Sequence, residues 1–103
     1  MFKIDPLYIV ELYKKHGYKP TTGAICGQPN GKTCALGILY IDEQGPIKKA
    51  DDVYLWAENK YGELYKGIYR GFDSLEGGFN IENNYYNNGK MIREACIKEF
   101  GPF

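Results

Sequence analysis

The sequence predicts a mainly α-helical fold, a compact bundle of four to five short helices with a small β-hairpin around residues 22–36. Three observations carry that expectation. Apolar residues recur at helical spacing near both ends of the chain, Asp5-Pro6 and Gly17 bracket the first such stretch as start and stop signals, and no long alternating run argues for a sheet. With 103 residues the chain forms one globular domain, 1–103, with a single modest core.

The first helix is predicted over Pro6–His16. Asp5 is an N-cap, Pro6 suits the first helical position, and Ile9, Leu12, Tyr13 and His16 follow on one face. Lys14, Lys15 and His16 meet the negative end of the helix, and Gly17 supplies a left-handed stop. From Tyr18 to Thr33, YKPTTGAICGQPNGKT reads as an irregular connection in which Pro29-Asn30-Gly31 closes a short ribbon and brings Cys26 and Cys34 together. The run CALGILYI is too short for periodicity to separate helix from strand, but Thr33 as an N-cap favours a buried helix ending near Asp42.

A third helix is predicted with Asp51 or Asp52 as its cap and Val53, Trp56, Ala57 and Lys60 on one face. Gly62 kinks or ends it, and helix resumes from Glu63 to Phe72. Were it continuous through Gly62, Tyr61, Tyr65 and Tyr69 would share one face. Gly67 and Gly71, offset from them by two residues or about 200° of rotation, would form a smooth opposite face. A glycine in a helix interior costs about 1 kcal/mol relative to alanine, so such a face implies a close helix crossing, with Ala35, Gly37 and Gly89 as small counterparts. The last helix is capped by Asn83 or Asn84 and carries Tyr85, Gly89, Ile92, Cys96 and Phe100 on one stripe.

Thirteen basic residues balance thirteen acidic ones. With no global field, and with Arg70 and Arg93 the sole arginines, nucleic acid is a poor partner. The apolar runs are shorter than the roughly twenty residues of a membrane span, and no signal peptide opens the chain. Three cysteines at no scaffold spacing then read as reduced thiols in a cytoplasmic protein.

Candidate chemistry is sparse. Cys34 at a helix start could be an activated nucleophile with His16, the one histidine, as base, which makes a cysteine-dependent hydrolase an alternative. Cys26, Cys34, Cys96 and His16 are the residue types of a zinc site, but C-x7-C is not a zinc-ribbon spacing, so no metal or other cofactor is expected. The adjacent carboxylates Asp42/Glu43 and Asp51/Asp52 are explained by helix ends. In GQPNGKT, aligning a phosphate loop on Gly31-Lys32-Thr33 puts Cys26 where the first glycine belongs, although an anion near Lys32 is conceivable.

The leading expectation is therefore a small non-enzymatic binding protein. Ten tyrosines exceed what a core of this size requires, and tyrosine is favoured at protein interfaces. Tyr61, Tyr65 and Tyr69 are the expected face for a protein partner. With Lys32 or Lys66 contacting phosphate, the alternative is sequestration of a small nucleotide by stacked rings. Homo-oligomerisation is compatible with either reading. The lysine- and asparagine-rich, arginine-poor composition is a bias of AT-rich coding, and with small size and zero net charge it fits a phage or mobile-element regulator or inhibitor.

The segments CALG at 34–37, YKGIYRGFD at 65–73 and YNNG at 86–89 resemble small uncharacterised bacterial proteins that pair a C-A-L-G helix with a glycine-spaced segment ending G-F-D and a later Y-x2-G helix. The resemblance implies a helical fold and carries no activity with it.

Overall fold

A computed structural model describes residues 3–22, 31–73 and 83–103. Its first helix, α1, is Pro6–His16, with the Asp5 side chain accepting from the Leu7 N–H and Gly17 in the left-handed conformation at φ 70°. A helix does form from the CALG run: α2 is Ala35–Gln44, so the strand alternative falls. Its N-cap is Cys34 and not the expected Thr33, because Thr33 is taken up in a strand. The α3 helix is Ala50–Tyr61, capped by Lys49, which places Asp51 and Asp52 in the first turn against the positive helix end instead of at the cap itself.

Gly62, at φ 68°, then ends α3, and a 3-10 turn over Gly62–Leu64 redirects the chain into α4, Tyr65–Asp73. Of the two expected outcomes at Gly62, a kink or an end, the structure shows the end, so the condition for a shared face of Tyr61, Tyr65 and Tyr69 is not met. An L side chain rarely adopts that φ, so glycine permits the break. The last helix, α5, is Asn83–Phe100.

The small β element consists of β1, Lys19–Pro20, and β2, Lys32–Thr33. They pair in parallel, Lys19 opposite Lys32 and Pro20 opposite Thr33, where a hairpin would pair antiparallel. The Lys19 N–H donates to the Gly31 carbonyl at 2.9 Å and the Thr21 N–H to the Thr33 carbonyl at 3.2 Å. The expected PNG turn and Cys26 lie mostly or wholly outside the described residues, as does the FDSLEGGFN connection beyond Asp73.

The core collects the inner faces of all five helices: Ile9, Leu12 and Tyr13 of α1, Leu36 and Ile38 of α2, Val53 and Ala57 of α3, Ile68 and Phe72 of α4, and Ile92 and Cys96 of α5 are buried. The closest-packed pair is α4 against α5. There the expected close helix crossing is realised at Gly71 and Gly89: both are buried, and a Cβ on either would collide with the facing backbone, while Gly67 is buried on the same helix as Gly71.

Long-range polar contacts fix the remaining elements. The buried Asn88 accepts from the Ile4 N–H and donates to the Ile4 carbonyl, both at 2.8 Å, which ties the segment before α1 to α5. The buried Tyr13 hydroxyl donates to the Thr33 carbonyl at 2.8 Å and joins α1 to β2. Arg93 donates from one nitrogen to the Phe72 carbonyl at 3.0 Å and from the other to the Phe103 carbonyl at 3.3 Å, holding the last residues against α4. Among the described residues no helix is long and apolar enough to cross a membrane.

Candidate aromatic docking surface

The break at Gly62 divides the expected tyrosine face into two clusters. Tyr65 and Tyr69, one turn apart on α4, stack at 6.0 Å with their planes 28° apart. Tyr54 of α3 completes a triad, with its ring centroid 6.1 Å from Tyr65 and 5.9 Å from Tyr69. Tyr65 is buried, while Tyr54 and Tyr69 are half-buried. Burial raises the hydroxyl pKa of both Tyr54 and Tyr65 above the ordinary value; the neighbouring ring of Tyr69 adds to the shift at Tyr54, and the Glu58 carboxylate adds to it at Tyr65.

The triad borders a surface groove of about 380 Å³ between α3 and α4, lined by Tyr54, Tyr65, Asp51, Asp52, Leu55 and Glu58. Leu55, in the middle of the acidic outer face of α3, is 64% exposed. Helical spacing explains the arrangement. Asp51, Leu55 and Glu58 follow one another at four and three residues along the solvent face, while Val53 and Ala57 turn inward. One ring of the triad already receives a cation, since the Arg70 guanidinium lies 5.7 Å from the Tyr69 centroid.

Tyr61 belongs elsewhere. It meets Trp56 edge-on at 6.0 Å, and Trp56 in turn meets Tyr40 at 5.7 Å. Burial, followed by the Glu43 carboxylate, pushes the Tyr61 hydroxyl up to about 12. Tyr61 and Trp56 form one wall of a second cleft, of about 570 Å³, whose other walls include Tyr8, Leu39, Asp42 and Glu43.

The carboxylates of this second cleft are engaged. Asp42 lies 2.9 Å from Nε2 of His16 and 3.1 Å from Nζ of Lys15, and accepts from the Tyr8 hydroxyl at 3.3 Å. The His16 and Lys15 hydrogen bonds hold its carboxyl below the ordinary range. Glu43 accepts from Lys60 Nζ at 2.7 Å and from the Trp56 indole, which hold its carboxyl below the usual range as well.

Of the expected site residues, Tyr65 and Tyr69 come together, Tyr61 faces the second cleft, and Lys66 is exposed on α4. Lys32 lines a third groove with Lys19 and Phe100, apart from the tyrosines. The three tyrosines thus lie on two surfaces, and neither Lys32 nor Lys66 lines the groove beside Tyr65. Sequence reasoning passed over Tyr54 and Leu55. Leu55 carried a signal, an apolar side chain between carboxylates at helical spacing, whereas Tyr54 meets α4 only through the tertiary fold.

The thiol chemistry expected at Cys34 is opposed by its surroundings. Burial pushes this thiol up to about 12, outweighing the Leu36 and Gly37 N–H groups that pull it down. A nucleophile needs the opposite shift. His16 is committed to Asp42, and Cys96, itself buried, is also pushed up to about 12. Among the described residues no group of three histidine, cysteine or acidic side chains could hold a metal ion. Compared with known protein families, curated proteins and solved structures, the chain matches none.

Proposed function

We propose that this chain is a protein-binding domain whose α3–α4 groove takes a lysine- or arginine-bearing segment of a partner protein. The observation that carries the reading is the setting of Leu55: an exposed apolar side chain lies between the ordered rings of Tyr54 and Tyr65 and the carboxylates of Asp51, Asp52 and Glu58. Rings already packed on one another lose little side-chain entropy on binding, and an apolar anchor beside aromatic rings is the usual composition of an interface centre.

Charge complementarity selects the partner. Three carboxylates and no basic side chain line the groove, so a cationic segment gains attraction where an acidic one is repelled. Aliphatic stems of lysine or arginine can cover Leu55 while their charged ends reach the carboxylates or the tyrosine faces.

The test is site-specific photocrosslinking from a benzophenone side chain at position 55 in cells that express the protein. The expected product is a discrete protein adduct mapped to a Lys/Arg-bearing segment. It should weaken with salt and be lost in the triple variant Asp51→Asn, Asp52→Asn, Glu58→Gln. Adducts that map to acidic or uncharged segments, or that persist in the triple variant, would refute the reading.

A further inference from the structure

We propose that the groove between the β ribbon and the residues after α5 is a binding site for a phosphate group, with Lys19 and Lys32 as its paired cationic contacts. The inference is independent of the α3–α4 docking surface, because it rests on different residues.

The register of the ribbon carries the argument. Lys19 and Lys32 are direct partners across β1 and β2, and in both strands the lysine is exposed while the following residue, Pro20 or Thr33, is buried. Partners in a ladder point to the same side of the sheet, and adjacent strands lie about 4.8 Å apart. Two ammonium-bearing side chains therefore emerge side by side. Like charges placed directly opposite are unfavourable in a sheet.

Among the described residues no carboxylate offsets that repulsion. Neither lysine forms an ion pair with a carboxylate among the described residues; the ion pairs there use Lys14, Lys15, His16 and Lys60. The chain between the strands, GAICGQPN at 23–30, contains no acidic residue at all. A doubly charged anion between the two ammonium groups would convert the repulsion into two charge-assisted contacts.

The walls are built before any ligand arrives. Lys19 Nζ stands 5.3 Å from the Phe100 ring centroid, and Phe100 is held edge-on by Tyr13 at 5.8 Å. Phe103 stacks on Phe72 at 5.5 Å, and Arg93 lies 4.9 Å from its centroid while gripping its carbonyl. Lys19, Lys32, Phe100 and Phe103 thus border one groove of about 190 Å³. That volume accepts a phosphate group, with any attached ring left to lie against the phenylalanines outside it. A phosphate could arrive free or as a nucleoside monophosphate, and the rings favour the second source.

Titration of the ¹⁵N-labelled protein with inorganic phosphate and, separately, with adenosine monophosphate, each at fixed ionic strength, tests the site. Saturable shifts of the Gly31, Thr33 and Gly101 amides are expected with both, at lower concentration for the nucleotide. Lys32→Gln should raise the midpoint roughly tenfold, the loss of one hydrogen bond to a charged group. Lys66→Gln should leave it unchanged. Linear shifts, shifts reproduced by chloride, or an unchanged midpoint in the Lys19→Gln/Lys32→Gln double variant would overturn the assignment. Equal midpoints for phosphate and nucleotide would overturn the role given to the rings.

Discussion

Gly71 of α4 and Gly89 of α5 face each other's helices reciprocally. A Cβ on Gly71 would collide with the carbonyl oxygen of Tyr86, three residues before Gly89, and a Cβ on Gly89 would collide with that of Ile68, three residues before Gly71. Each glycine is thus the gap into which one turn of the partner helix settles.

Alanine at either position should therefore force this crossing apart. Backbone cannot swing aside as a flexible side chain would, so Gly71→Ala and Gly89→Ala should each cost about 1–3 kcal/mol or more. Gly17→Ala is the contrasting case: nothing lies within 4 Å of its added Cβ, and only the left-handed conformation at φ 70° is strained. Its cost should stay near 1 kcal/mol. Urea midpoints at constant slope distinguish the two mechanisms, and equal losses at all three positions would contradict the packing account.

Asn88 should be as sensitive as a large core residue. Replacing it by alanine strands both the N–H and the carbonyl of the buried Ile4, which no longer reach a partner through the side chain. The expected loss is about 1–3 kcal/mol, together with faster amide exchange at Ile4. Asn88→Asp should not rescue it, because a carboxylate cannot donate to the carbonyl. Unchanged exchange at Ile4 in Asn88→Ala would refute the tether.

The thiols of Cys34 and Cys96 should be inert while the protein is folded. With both pushed up to about 12 and both buried, iodoacetamide at pH 8 should label them only at the rate of unfolding. Peptide mass spectrometry resolves the two sites. Labelling of Cys34 faster than global unfolding would revive the nucleophile reading.

Acid should weaken the α1–α2 contact through Asp42. Its carboxyl is held below its ordinary value by His16 and Lys15, so the folded state favours the ionised form. The resulting stability is fully present above the unfolded pKa of about 4 and is lost as pH falls through the lower folded value. Asp42→Asn should flatten that part of the acid limb in urea melts taken from pH 6 to pH 3. An unaltered pH profile would show that the contact contributes nothing.

The sequence by itself determined α1 to the residue, because Asp5, Pro6 and Gly17 act within one turn of the positions they define. It favoured helix over strand for α2 without deciding between them, and it indicated that α5 buries Tyr85, Gly89, Ile92 and Cys96 and that glycines mark a helix crossing. These are local or periodic signals, and each needs only its own element to be read. Tertiary structure decided the rest. Thr33 left the cap of α2 because β1 pairs with β2, and of the kink or end that Gly62 foretold the fold took the end, sending Tyr61 away from Tyr65 and Tyr69. Tyr54 joined the tyrosine pair across two helices, and Lys19 came to lie beside Lys32 across a parallel ladder. Such neighbours are fixed by how helices and strands pack over long separations, where residue spacing along the chain carries no record of the meeting.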